Sequence, residues 1–384
     1  MATASGEVAP SAEHRAARVR RVLLVDLARG FGGCETRVIS QAHALQGVVE
    51  RCAVAVLRGR PLHQRLLREG IPCEPVSDTR LNPRVLSELR AVIRHGGYQV
   101  VDAHNIQSIF WGHLAALLAG APGRITTMHS DYRQEYTGVR KRLYPLVYGL
   151  VRPITSHFVH VSHQLQEQAI QRGDGRRSTL IPNTAVIADP ESQREPRRTS
   201  EWGFEQTDFV VAVVGRLFPV KGQAYAIDAM ASLRDLPQVK LLLVGDGPQR
   251  AELAARAAAL GLTGRVHFAG FRDDVTRLLQ MVDCVCLPSL WENLPYAALE
   301  AAAQRLPIVA TAVGGVPQFL DDGETALLVP PRDAGALAAA VRRLVEDPAI
   351  AARLGAAAHA MVRRSFGPDE LLRKTLDVYD SVLT

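Results

Sequence analysis

Cysteine is scarce in this chain of 384 residues: Cys34, Cys52, Cys73, Cys284 and Cys286 are scattered, with no C-x-x-C spacing. An odd count without paired spacing excludes a disulfide framework and points to free thiols in a reducing compartment. Cys284 and Cys286 alternate on a strand-like run, so both face one side, and core packing suits them better than metal binding. Long apolar runs are also missing. None approaches the roughly 18 residues that cross a bilayer, which excludes a transmembrane helix. The opening MATASGEVAPSAEHRAARVRR lacks the apolar centre of a signal peptide and reads as a disordered basic leader over 1–18. No signature of a nucleic-acid-binding module is visible.

What is present is a soluble composition, 47% hydrophobic and 22% charged, in a length suited to two or three domains. The net charge of +6 is unevenly spread. Residues 1–200 hold 27 Lys and Arg against 17 Asp and Glu, whereas 201–384 hold 18 against 22. A basic half beside a mildly acidic one predicts two domains with different partners, the basic one facing anionic lipid or an anionic acceptor, or else simply solvated.

Short apolar runs alternate with helical stretches. Strands are expected at Arg21–Leu27, Cys52–Leu57, Gln99–Ala103, Arg124–Met128, His157–Val161 and Thr179–Ile181. The first is followed by Gly30, Gly32 and Gly33, then a helix over Glu35–Gln46. The rhythm stops in the polar stretch 184–207 and restarts with strands at Phe209–Gly215, Val239–Val244, Arg265–Phe268, Cys284–Leu287, Ile308–Thr311 and Ala326–Leu328. This predicts an α/β fold of two doubly wound, Rossmann-like halves facing a cleft. The expected boundaries are 19–190, a linker at 191–207, 208–365, and a C-terminal helix at 366–384 that crosses back to the first half.

Chemistry is concentrated after two strands. In PSLWENLPYAALEA (288–301), Glu292 and Glu300 stand eight apart, with Asn293 read as a helix cap and Pro295 as a first-turn residue. Amides at the start of that helix favour an anion. A carboxylate accepts two hydrogen bonds at once, so each glutamate suits a vicinal diol. An anion site with a hydroxyl reader on either side matches a sugar nucleotide. In Gly215-Arg216-Leu217-Phe218-Pro219-Val220-Lys221-Gly222, Arg216 and Lys221 lie five apart around a tight loop. Two cations beside a diphosphate stabilise the charge that grows on a leaving group, as a metal would. No Asp-x-Asp motif accompanies them, and no metal or other cofactor is expected.

G-R-L-x-x-x-K-G followed by E-x7-E resembles the retaining glycosyltransferases of the GT-B fold, family 4. The likeness continues through Pro288-Ser289, Leu306-Pro307-Ile308-Val309-Ala310-Thr311, Gly314-Gly315-Val316-Pro317 and Asp322-Gly323. It is strong over 209–335 and weaker in the first half. It implies that Gly215, Arg216 and Lys221 bind the donor diphosphate and that Glu300 holds the ribose. Glu292 would hold the transferred sugar beside Asn293, Leu294, Pro295 and Tyr296. The backbone near Phe271 and Arg272 would meet the base. Gly32-Gly33-Cys34-Glu35 resembles the family's glycine-rich loop over the donor, and Thr127-Met128-His129 its T-x-H, with His129 near the reacting carbon. His129, Arg216, Lys221 and Glu292 are thus the implied catalytic set, and His104 is an acceptor-side candidate. Two positions depart from the family pattern: Thr184 after Ile181-Pro182-Asn183, and Gln318 after Pro317.

The resemblance implies transfer of a hexose from a UDP- or GDP-linked donor to a hydroxyl of a glycan, lipid-linked sugar or small molecule, with retention, in bacterial polysaccharide, glycolipid or glycoconjugate synthesis. The alternatives are a phosphorylase, a sugar-nucleotide epimerase, or a non-catalytic binding subunit. The expected location is the cytoplasm. Tyr132–Arg152 mixes arginines with tyrosines and aliphatics, which suits either peripheral contact with the inner face of a membrane or an ordinary domain helix.

Overall fold

The computed structural model describes residues 18–80, 82–130, 138–185 and 199–383. Residues 1–17 of the leader, 191–198 of the expected linker, and 132–137 of the basic aromatic stretch lie outside the described residues.

The first half runs β1 (Arg21–Asp26), α1 (Gly33–Leu45), β2 (Arg51–Leu57), α2 (Pro61–Arg68), β3 (Cys73–Val76), α3 (Arg84–Gly96), β4 (Val100–Ala103), α4 (Ile106–Ala119), β5 (Gly123–Met128), α5 (Gly138–Val151), β6 (His157–His160), α6 (His163–Gln171) and β7 (Ser178–Leu180). The second runs β8 (Phe209–Val214), α7 (Gln223–Ser232), β9 (Val239–Val244), α8 (Arg250–Ala259), β10 (Val266–Gly270), α9 (Val275–Leu279), β11 (Cys284–Leu287), α10 (Tyr296–Ala303), β12 (Ile308–Thr311), β13 (Leu327–Val329), α11 (Ala334–Glu346), α12 (Pro348–Ser365) and α13 (Pro368–Ser381). The strands form two parallel sheets, β3-β2-β1-β4-β5-β6-β7 and β10-β9-β8-β11-β12-β13. Runs such as RVLLVD and FVVAVV stay apolar because helices cover both faces of each sheet. Each sheet accordingly has a core on either side. Cys284 and Cys286 share one of them, and all five cysteines are free thiols.

The order of each sheet reverses once, at β1/β4 and at β8/β11. Loops leaving the carboxyl ends of strands diverge there and open a crevice. Gly32 and Gly33 follow β1, His104 follows β4, Arg216 and Lys221 follow β8, and Glu292 follows β11.

One strand escapes the sequence pattern. In β3, Glu74 and Pro75 interrupt the apolar run, which is tolerable because β3 is an edge strand where a missing N–H faces no neighbour. The helix after Glu292 also differs from expectation. It starts at Tyr296, Pro295 is the cap residue, and Asn293 does not cap it. Pro295 lies in the extended region, while its carbonyl already accepts from the Ala298 amide.

Helix α13 crosses back to the first half. Leu371, Leu372, Leu376, Val378 and Tyr379 share a core with Val22, Leu24, Val38 and Val54. The Val19 amide donates to the Asp380 carboxylate at 2.8 Å.

Candidate functional site

At the β8/β11 crevice, the loop after β8 carries Arg216 and Lys221 and the loop after β11 carries Glu292. Lys221 Nζ lies 2.6 Å from Glu292 Oε1, which also accepts from Ser289 Oγ at 2.7 Å. Glu292 is 7% exposed. A buried carboxylate needs such partners. Ser289 is held in turn through its carbonyl, which accepts from Thr311 Oγ1 on β12. Behind the loop, the Gly315 amide donates to the Glu292 carbonyl at 2.9 Å. Gly314 has φ +55°, and a Cβ there would overlap the Glu292 carbonyl oxygen, so the glycine pair is needed for backbone to pass this close. Arg216 is exposed, its guanidinium 5.0 Å from the Phe218 ring centroid.

Helix α10 starts beside this pair, and the Tyr296 and Ala297 amides of its first turn have no partner within the helix. The approach to it is clamped from the first half. Asn293 Nδ2 donates to the His129 carbonyl at 2.7 Å and Ser162 Oγ to Asn293 Oδ1 at 3.3 Å. Asn183 Nδ2 donates to the Leu294 carbonyl at 2.9 Å. This bridging is what draws Asn293 away from the capping role. Tyr296 is buried against Gly33. Glu300 is half-buried on α10 but ringed by protein, and burial pushes its carboxyl up to about 7.

In the first half, Gly32 caps α1 with extended backbone and lies under 4 Å from the Arg216 side chain, measured from the position its Cβ would take. The glycine loop thus closes over the cation loop. Beside it Asp26, Cys34 and Glu35 bring their ligand atoms within 4.8 Å of one another, the one such grouping among the described residues. Burial pushes both carboxyls up. Asp26 is relieved by the Ala28 amide, Cys34 and Asn105, whereas the neighbouring Asp26 charge drives Glu35 further. The sequence offered no pointer to this grouping, because Asp26 and Glu35 sit in different elements.

His129 follows β5 at the cleft, with its Nε2 3.0 Å from His104 Nδ1. His104 is 2% exposed and lies behind His129. This corrects the expectation that it meets an acceptor: it follows β4, an inner strand, and the ring is covered on every side. Phe271 is 52% exposed and meets Phe31 edge-on at 5.9 Å across the cleft. The Arg272 guanidinium is engaged by both Asp274 oxygens at 2.7 Å. Arg65 Nη1 donates to the Asp273 carbonyl at 2.8 Å and Arg68 pairs with the Asp273 carboxylate, latching the halves together.

Two family profiles match the chain: glycosyltransferase family 4 over residues 31–186 and glycosyl transferases group 1 over residues 195–361. The 2-deoxystreptamine glucosyltransferase of Streptomyces kanamyceticus is 30% identical over 283 residues, 69% of this chain and 72% of that one. The chain belongs to glycosyltransferase family 4. An Escherichia coli family relative, the UDP-Gal:alpha-D-GlcNAc-diphosphoundecaprenol alpha-1,3-galactosyltransferase, is 25% identical over 274 residues, 68% of this chain and 70% of its own. Among solved structures, Anabaena HepE in complex with UDP-glucose superposes with a TM-score of 0.81 at 25% identity, covering 93% of this chain and 99% of HepE. The two-domain architecture is therefore the GT-B fold, and the family's chemistry is glycosyl transfer from a nucleotide sugar. No helix among the described residues is long and apolar enough to cross a membrane.

Proposed function

We propose that this glycosyltransferase moves a hexose from a UDP-linked donor, with GDP the next choice, to an acceptor hydroxyl with retention and without a metal ion. The observation that carries the reading is the Lys221–Glu292 pair beside the start of α10, at the strand-order reversal. Donor diphosphate would take Lys221 and Arg216, freeing the Glu292 carboxylate for hydroxyls of the sugar. Glu300 would accept both ribose hydroxyls, and backbone at Phe271–Arg272 would meet the base. His129 would stand at the sugar.

Before donor binds, Glu292 is held by Lys221 and Ser289, and the reading assigns no side chain as a nucleophile. The anomeric C–O bond to phosphate breaks while the bond to the acceptor oxygen forms on the same face. The acceptor proton passes to the departing phosphate oxygen. Arg216 and Lys221 stabilise the charge growing there, and closure of the halves excludes water. The UDP-glucose complex of HepE and the galactosyl relative support a UDP donor and a glycoconjugate acceptor.

The same reading puts the enzyme in the cytoplasm at a membrane face. On α5, Leu143, Leu146 and Leu150 are 49%, 67% and 69% exposed, while Tyr144 and Tyr148 turn inward. Leucines outside and tyrosines inside is the reverse of a solvated helix. Sedimentation with anionic vesicles, lost when the three leucines become serine, tests that part.

For the site, thermal shifts with UDP, GDP and ADP in EDTA would be compared between wild type and Lys221→Ala. At 100 times its dissociation constant, the right nucleotide adds about 2.7 kcal/mol. NMR of the product then reads the anomeric configuration. No shift with any nucleotide, orthophosphate-dependent turnover, or an inverted product would each overturn the reading.

A further inference from the structure

A chain of buried polar groups runs behind His129 to helix α13, and transfer as described above does not use it. Asp102, at 0% exposure on β4, accepts from Thr127 Oγ1 on one oxygen at 2.7 Å. Its other oxygen accepts from the Tyr379 hydroxyl at 2.7 Å and from Gln41 Nε2 at 2.8 Å. Gln41 is oriented by Arg37, whose Nε donates to Gln41 Oε1 at 3.3 Å. Burial raises the Asp102 carboxyl above its ordinary value, and the three donors with the nearby Arg37 guanidinium oppose that rise and favour the carboxylate. His104 Nε2 faces that carboxylate at 3.7 Å, buried and without a hydrogen bond.

This arrangement selects among tautomers. A bare Nε2 lone pair on His104 would face a carboxylate lone pair in a dry site, which is repulsive. A proton on Nε2 faces it favourably. Each neutral imidazole carries one proton, so His104 Nδ1 is then an acceptor. His129 Nε2 must donate to it across 3.0 Å. The proton of His129 is thereby committed inward, and its Nδ1 keeps the free lone pair. Both rings stay neutral, because burial lowers the basicity of each.

We infer that Asp102 and His104 are positioning residues that fix His129 as the Nε2–H tautomer, so that His129 meets its ligand as a hydrogen-bond acceptor through Nδ1. Helix α13 takes part through Tyr379, which ties the reactive end of the cleft to an element 277 positions away in the chain. The role at the sugar rests on the reading of His129 given above. The tautomer itself does not.

The test is long-range proton–nitrogen NMR on full-length protein labelled at the histidine ring nitrogens, with the His129 signals identified by their loss in His129→Gln. The wild type should show His129 protonated on Nε2 alone. His104→Ala removes the acceptor and should give a mixture. In His104→Asn, the amide oxygen stands near the former Nδ1 and should restore the single form. In kinetics, His104→Ala should lower kcat about tenfold with donor KM within about twofold, and His104→Asn should recover most of the loss. A proton on His129 Nδ1 in the wild type, or a tautomer indifferent to both substitutions, overturns the inference. If the tautomer behaves as stated but His129→Gln transfers sugar at the wild-type rate, the positioning stands and the placement of His129 at the sugar fails.

Discussion

The two halves present polar residues to the same cleft in opposite ways. In the second half the working residues lie close in sequence and are held by short loops. Ser289, Glu292 and Glu300 fall within one loop and helix, and Lys221 reaches across a single strand-order reversal. In the first half the groups behind His129 come from α1, β4, β5 and α13, joined by hydrogen bonds between residues far apart in the chain. A site made from neighbours depends on each residue's own chemistry. A site made from distant partners depends on the whole domain being assembled.

Substitutions can break or sharpen that contrast. The largest effect is expected from Lys221→Ala, which removes the cation at the leaving group and strands the buried Glu292. Transfer at saturating donor should fall by about 10²–10³, read in steady-state kinetics. A loss under about fivefold would show that the pair is merely structural.

Next is Glu300. Its carboxyl is raised to about 7, so below neutral pH it is protonated in the free enzyme and offers a diol a poorer acceptor. Donor binding draws it toward the carboxylate. Affinity for the sugar nucleotide should therefore rise about tenfold from pH 6 to pH 8 and then level. Titration calorimetry at several pH values checks this, and Glu300→Gln should bind more weakly with a flat profile. The same slope in the variant would move the titration to Asp26 or Glu35.

Tyr379→Phe belongs to the other half. It removes the hydroxyl that donates to Asp102 and accepts from Gln41 Nε2, and should reduce stability by about 1–3 kcal/mol in urea unfolding. Nucleotide affinity should not change. A variant that is stable but loses nucleotide binding would erase the distinction between the halves. Smallest is Arg68→Ala, at an exposed latch, with a stability change below about 1 kcal/mol.

The same distinction governs what could be read beforehand. Strand positions were legible because buried parallel strands need continuous apolar runs, and β9, β11 and β12 begin and end where the pattern places them. The edge strand β3 was not, since an edge tolerates Pro75. Glu292, Glu300, Arg216 and Lys221 stood out because polar residues interrupt apolar surroundings at loop-to-helix junctions. Asn293 has the sequence context of a helix cap yet bridges the domains instead, because its bonds to His129 and Ser162 come from residues far away in the chain. Asp102 and Tyr379 carry no local signal: one is an acid ending a short strand, the other a tyrosine on an amphipathic helix. Only the return of α13 onto α1 brings them together.

That return also sets an order of events during synthesis. The first-half sheet is complete in sequence by Leu180, yet the core shared by α1 and β1 is closed by Leu371, Leu376 and Tyr379. At about 5–20 residues per second, a ribosome needs roughly 15–55 s to travel the 277 positions from Asp102 to Tyr379. Through that interval an apolar face waits uncovered, so a nascent-chain chaperone has most to shield in the half that is made first.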